Sequence, residues 1–193
     1  MRDIAAPTRV DRAALVRRAF LELVAERGFH GASMSSVAQR AGVAAGTIYV
    51  HHASKDELVV AVYRDVKREL GSAAVANVDP AGPPPARFET MWRNVLAHLS
   101  ADPNRARFLI QVDASPYFAP AHADVLADRD DPLLAAASTD DMVEVLIDLP
   151  PDVLYDLGFG PAVRLAASRA GEPPLDEDEL ARLVEACWRA ITR

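Results

Sequence analysis

The sequence predicts an all-α chain in two parts, a three-helix head followed by a larger helical body. Apolar residues recur at helical spacing along most of the 193 residues, and no strand-like alternation stands out. Glycines and capping residues fall where those stripes end, and prolines separate the later ones. Half of the residues are apolar and a quarter are charged, the balance of a globular chain. A chain of this length buries enough surface to need neither a disulfide nor a metal.

The first stripe runs from Val10 to Arg27, with Ala13, Val16, Phe20, Leu23 and Val24 on one side. Gly28 follows, where a helix end favours a left-handed residue. Ser33 can cap a short helix ending near Ala41. Gly42 offers a tight turn, and a second short helix spans about Ala44 to His51. Ser54 caps a long helix with Asp56 and Glu57 in its first turn and Val59, Val62, Val66 and Leu70 as its stripe.

The segment DPAGPPP, Asp79 to Pro85, holds four prolines in seven residues and reads as a break. Phe88, Met91, Trp92, Val95, Leu96 and Leu99 then form a broad buried face. Asp102 and Pro103 restart a helix as cap and first-turn proline. Pro116, Pro120 and Pro132 divide Ser115 to Asp141 into short helices and turns. Pro150-Pro151 opens a helix to about Arg169, with a kink expected at Pro161. Asp176 and Glu179 have the spacing of a reciprocal cap ahead of Leu180, Leu183, Val184, Cys187, Trp188 and Ile191 on one face.

Several function classes are disfavoured. A single cysteine, Cys187, excludes an intrachain disulfide and fits a reducing compartment. The start of the chain is charged where a secretion signal is apolar. The longest apolar run, Leu58 to Tyr63, falls well short of the ~18 residues a membrane helix needs. The expected location is the cytoplasm, at the nucleoid when DNA is bound. No GxSxG, HExxH, CxxC or glycine-rich phosphate loop occurs, so no enzyme and no cofactor are expected. Asp130-Asp131 and Asp140-Asp141 read as solvated pairs. His51 and His52 leave a helix in different directions, and no metal site is expected.

Net charge is −7, but it is unevenly placed. Residues 1–70 hold 11 Lys+Arg against 8 Asp+Glu, while residues 71–193 hold 10 against 20. A mildly basic head on an acidic body fits nucleic acid at the head alone. Two short helices joined by Gly42 and packed behind a longer amphipathic helix describe a helix-turn-helix, whose second short helix enters a major groove. Gly46 keeps side-chain bulk off that helix. Thr47 and Tyr49 can donate hydroxyls to phosphates, and Lys55 can add charge at the next helix N-terminus, itself a candidate anion site.

Residues 10–66 resemble the TetR family of tetracycline-repressor-like regulators, through ERGFHGASMSSVAQRAGVAAGTIYVHHASKDEL (Glu26 to Leu58) with its AGV, GTIY and SKDEL elements. The resemblance implies that Ser33 touches phosphate and that Ser35, Ala45 and Gly46 face bases. It implies that Thr47, Tyr49, His51 and Lys55 grip the backbone. Ala44 and Ala45 depart from the polar residues common in the family, so direct readout should be modest. His52 stands where the family usually has an apolar residue. Buried and neutral, it would make the head less stable as pH falls.

The implied organisation is a DNA-binding domain over 8–54 and a sensing and dimerisation domain over 55–193, joined by a helix over 55–74. The resemblance implies dimerisation through the last two helices, using Val153, Leu157, Leu180, Leu183, Val184, Cys187 and Ile191. A small-molecule pocket in the body would draw on Phe88, Trp92, Phe108, Tyr117, Met142 and Tyr155. The expected protein is a homodimeric repressor on a near-palindromic double-stranded operator, released by a small molecule. Two alternatives are a DNA-bound adaptor that recruits a protein partner, and a helical binding protein or enzyme whose head is only scaffold.

Overall fold

The structure, a computed structural model, describes residues 11–126 and 130–193. The expected helix start at Val10, and residues 8–10 of the expected head, lie outside the described residues. The head consists of α1 (Arg12–Gly31), α2 (Met34–Ala41) and α3 (Ala45–His51). The long α4 (Lys55–Ala74) leads into the body. There follow α5 (Pro84–Ala101), α6 (Pro103–Asp113), α7 (Phe118–Leu126), α8 (Pro132–Ala137) and α9 (Asp140–Val145). The chain closes with α10 (Pro151–Gly158), α11 (Gly160–Ser168) and α12 (Glu177–Ile191). The only β pairing among the described residues is one antiparallel bridge, Leu146 with Thr192.

Helix ends follow the expected chemistry at most positions. Asp11 Oδ1 accepts from the Ala13 and Ala14 amides at 3.0 and 3.2 Å, and Ser54 Oγ accepts from the Glu57 amide at 3.1 Å. Asp176 and Glu179 form the complete reciprocal cap of α12. Gly28 takes φ 66°, ψ 179°, which bends α1 and leaves one further turn to Gly31. That turn swings Phe29 against Tyr117, ring centroids 4.8 Å apart.

Four expectations are corrected. Pro84 and Pro85 belong to the first turn of α5, where a missing N–H leaves no bond unmade. Asp102 makes no cap bond; its carboxylate pairs with Arg18 of α1 and with Arg105. The kink at Pro161 is a break, with α10 ending at Gly158 and α11 starting at Gly160. Trp92 Nε1 donates to the Gly158 carbonyl at 3.0 Å and so satisfies a group at that break. One member of each aspartate pair is engaged rather than merely solvated: Asp131 caps α8, and Asp141 pairs with the buried Arg87 guanidinium, which holds the Asp141 carboxyl below its usual range.

The buried residues form one continuous cluster running from Val16 in the head to Ile191 in α12. The expected α4 stripe of Val59, Val62, Val66 and Leu70 is buried, together with Leu58 and Tyr63. Head and body meet where α1 packs on α6. Phe20 there sets its edge against Phe108, centroids 6.4 Å apart and planes at 74°. The Arg17–Asp65 ion pair, at 2.6 Å, adds a polar tie between α1 and α4.

His52 is buried, and its Nε2 has no hydrogen-bond partner. Desolvation, then the nearby Arg17 charge, lowers its pKa, and desolvation likewise lowers His98 and His122. A base whose folded pKa is depressed binds fewer protons folded than unfolded, so stability is present above the free histidine pKa and lost as pH falls. The melting temperature should therefore drop between about pH 8 and about pH 5.5, which bracket the free histidine pKa. His52→Phe should remove part of that drop; an unchanged drop in this variant would clear His52 of the effect.

Candidate nucleic-acid interface

Three small features set the turn between α2 and α3. Ser33 Oγ accepts from the Ser36 amide at 3.1 Å and starts α2. Gly42 ends it in the left-handed region, φ 67° and ψ 32°. The Val43 amide then donates to the Ala38 carbonyl at 3.1 Å, which folds the chain back toward α3. Val37, Ala38 and Ile48 are buried with Phe20, Leu23 and Val24 of α1. Ala38 is buried and Ala41 half-buried in α2, which packs on both α1 and α3.

One helical repeat then decides what α3 shows to solvent. Ile48 points inward at 0% exposure, so Gly46 and Val50 occupy the opposite side, with Tyr49 and Thr47 flanking them. Val50 is 79% exposed and Tyr49 55% exposed. Ala45, Gly46 and His51 are exposed, and Thr47 is half-buried. A Cβ placed on Gly46 would meet no protein atom within 4 Å, so packing within the chain does not demand glycine there. Val50 was not among the sequence candidates. Its signal is available in the sequence, since it sits four residues after Gly46 and hence on the same face.

Ser33 and Ser35 are exposed and share a 2.9 Å contact between hydroxyls, with Ser33 also engaged as the cap. Lys55 departs from expectation. Its ammonium donates to the Phe29 carbonyl at 2.5 Å and lies over the Phe29 ring, 5.9 Å from the centroid. Desolvation there lowers its pKa. The α4 N-terminus is not an anion site either. Ser54 holds the Glu57 amide, Glu57 Oε2 accepts from the Ala53 amide at 2.7 Å, and Asp56 and Glu57 place two negative charges in the first turn. Two arginines of the head are also engaged: Arg18 with Glu22 at 2.7 Å, and Arg40 with Glu26 at 2.7 Å and Glu22 at 3.3 Å. The exposed face of α3 therefore presents neutral hydroxyls and small apolar groups rather than a basic stripe.

The body holds a largely apolar cavity of about 370 Å³. Phe88, Met142 and Tyr155 line it, as expected of a pocket. Trp92, Phe108 and Tyr117 do not: Trp92 holds the α10–α11 break, Phe108 meets Phe20, and Tyr117 meets Phe29. On α10 and α12, Val153 and Leu157 are exposed at 37% and 40%, and Leu180 and Leu183 are half-buried. Val184, Cys187 and Ile191 are each 4% exposed, so the interface expectation is corrected for these three. They form the inner face of α12, which packs on α5 and α10 within the same chain. Burial also pushes the Cys187 thiol up, as befits a packed side chain. Among the described residues no cluster of three or more His, Cys, Asp or Glu could hold a metal. Nor is any described helix long and apolar enough to cross a membrane.

Residues 16–62 match the model for bacterial regulatory proteins of the tetR family, and residues 83–192 match that for a tetracyclin repressor-like C-terminal domain. A TetR-family regulator from Vibrio parahaemolyticus is 32% identical, with TM-score 0.68 over 95% of this chain and 99% of its own. A TetR-family regulator from Haemophilus influenzae is 28% identical, with TM-score 0.74 over 95% of this chain and 97% of its own. In sequence, an HTH-type transcriptional regulator from Haemophilus influenzae is 28% identical over 172 residues, 89% of this chain and 90% of its own.

The open space at Gly46 separates folding from recognition. Gly46→Ala should leave stability unchanged or raise it by up to about 1 kcal/mol, because alanine favours the helix. The same change should weaken duplex DNA binding, and a variant that binds like the unaltered protein would remove Gly46 from the interface. Denaturant melts and fluorescence anisotropy on one preparation would read both effects.

Proposed function

The chain belongs to the TetR family of bacterial transcriptional regulators, and from that premise we propose that it is a homodimeric repressor whose DNA affinity is set by a small molecule in the body. The observation that carries the DNA reading is the outward face of α3. A seven-residue helix there leaves Val50 79% exposed and Gly46 bare, which folding alone does not ask for. In this reading residues 8–54 form the DNA-reading unit and α3 lies in the major groove. Ala45, Gly46 and Val50 approach the bases, where a valine methyl suits the methyl of thymine. Ser35 joins them from α2. Ser33, Thr47, Tyr49 and His51 donate to phosphates, which fixes register without reading sequence. Lys55 reaches phosphate only by leaving the Phe29 carbonyl.

Two copies would associate through Val153, Leu157, Leu180 and Leu183, exposed or half-buried apolar residues of α10 and α12. A symmetric pair would read two half-sites about 34–36 Å apart, or a multiple of that. The cavity supports ligand control because Lys67 and Leu70 of α4 line it, and α4 begins directly after α3. A ligand that favours one placement of α4 would change DNA affinity by roughly 5- to 150-fold, the range of a typical coupling of ~1–3 kcal/mol.

Anisotropy titrations against duplexes selected from genomic DNA test the recognition roles. Tyr49→Phe should weaken binding to every duplex by a similar factor, roughly fivefold per half-site, as the loss in each of one phosphate hydrogen bond worth about 1 kcal/mol implies. Val50→Ala should instead change preference at one base position. A Tyr49→Phe loss confined to one sequence would overturn the phosphate assignment. For the dimer, Leu157→Glu should sediment as a monomer with native helicity; a persistent dimer would move the interface elsewhere.

A further inference from the structure

The cavity wall is apolar except around one cluster. Leu70, Met91, Leu133, Met142 and Leu154 supply hydrocarbon surface, while Lys67, His122 and Tyr155 come together on α4, α7 and α10. The Lys67 ammonium lies 3.7 Å from the Tyr155 ring centroid. Among the described residues no carboxylate comes within ion-pair distance of it. The Tyr155 hydroxyl and both ring nitrogens of His122 are buried with no hydrogen-bond partner. Buried polar groups are normally satisfied, so unmatched ones in a hollow mark where a ligand's polar end belongs. All three side chains can donate: an ammonium, a phenol and an imidazole N–H.

Of the carboxylates nearby, Asp113 and Asp156 line a second hollow that shares Lys67 and Tyr155 and act on both without an ion pair, while those of this cavity are engaged or stand at its edge. Asp131 Oδ1 is held by the Leu134 amide at 2.8 Å, and the Asp131 carboxylate lies over the backbone at Gly71. Asp152 stands in the first turn of α10, and Asp148 and Arg193 lie on the exposed rim. A cationic ligand would have to sit against Lys67.

We propose that this cavity takes an anionic amphiphile, a carboxylate on an unbranched apolar chain, with the carboxylate accepting from Lys67, Tyr155 and His122. A cavity of about 370 Å³ lies at the small end of ligand sites. At the ~30 Å³ that a water molecule occupies, it holds about a dozen non-hydrogen atoms, which suits a medium-chain acid. Burial lowers the pKa of Lys67 and raises that of Tyr155, and a carboxylate beside the lysine would favour its ammonium form.

This inference deepens the proposed ligand control, and its first test contains no DNA. Decanoate, decanol and decyltrimethylammonium are titrated calorimetrically into the full chain, into Lys67→Met and into Tyr155→Phe. Decanoate should bind the unaltered protein at least about tenfold more tightly than decanol, a difference of about 1.4 kcal/mol. Lys67→Met should erase that preference, and Tyr155→Phe, which keeps the ring, should reduce it. Equal affinity for acid and alcohol, tighter binding of the ammonium, or a preference that survives Lys67→Met would overturn the proposal. Should Lys67→Met not fold, the acid–alcohol contrast and Tyr155→Phe still decide it. Decanoate added to the protein–DNA complex then tests the underlying reading separately. Binding without any change in DNA affinity would overturn ligand control and leave the site standing. Release by a neutral ligand, with no decanoate preference, would do the reverse.

Discussion

The buried face of α4 joins the head to much of the body. Leu58, Val59, Val62, Tyr63, Val66 and Leu70 run along it, and α1, α5, α7 and α8 pack against it in turn. Each such side chain contributes roughly 1.5–3 kcal/mol by leaving water, so the helix is held over its length rather than at one point. Lys55 at its start and Lys67 in the cavity are twelve residues apart, about 18 Å along one rigid rod. An event at the cavity and an event at the head therefore act on the same element. The α1–α6 junction supplies a second tie, through Phe20 and Phe108 and through the Arg18–Asp102 pair. Movement of α4 relative to α6 must be felt by α1, which touches both.

Charge is handled differently in the two parts. The sequence makes the head net positive, but folding pairs Arg17, Arg18 and Arg40 with carboxylates of α1, of α4 and of Asp102 ahead of α6. What remains outward on α3 is neutral. In the body the reverse holds: the balance is strongly acidic, yet one lysine is enclosed beside a cavity with donors around it. Net charge by segment is thus a poor guide to what a site can bind, because ion pairing and enclosure decide which charges a ligand meets.

Much of the architecture was legible in advance because it rests on local rules. The caps at Ser33, Ser54 and Asp176, the left-handed Gly42 and the stripe of α4 depend on neighbours within a few residues. The block from Glu26 to Leu58 was legible for the same reason, since a helix-turn-helix is a short unit with fixed spacing. The prolines were read less well. Pro84, Pro85 and Pro161 lie in first turns, where proline is tolerated, and the sequence does not mark which residue begins a helix. Of the pocket candidates only Phe88, Met142 and Tyr155 line the cavity, because an aromatic side chain at helical spacing fits a core and a cavity wall equally well.

The sequence by itself determined the helical class, the helices of the head, the turn at Gly42 and the family. Each of these follows from backbone preferences and from patterns closed within a few turns. The tertiary structure alone decided where long side chains end. It turned Lys55 back onto Phe29, gave Trp92 to the Gly158 carbonyl, sent Val184, Cys187 and Ile191 inward, and set Lys67 beside Tyr155 and His122. Those partners lie on different helices, tens of residues apart in the chain. Which of them meet depends on how the helices stack, and no local pattern carries that information.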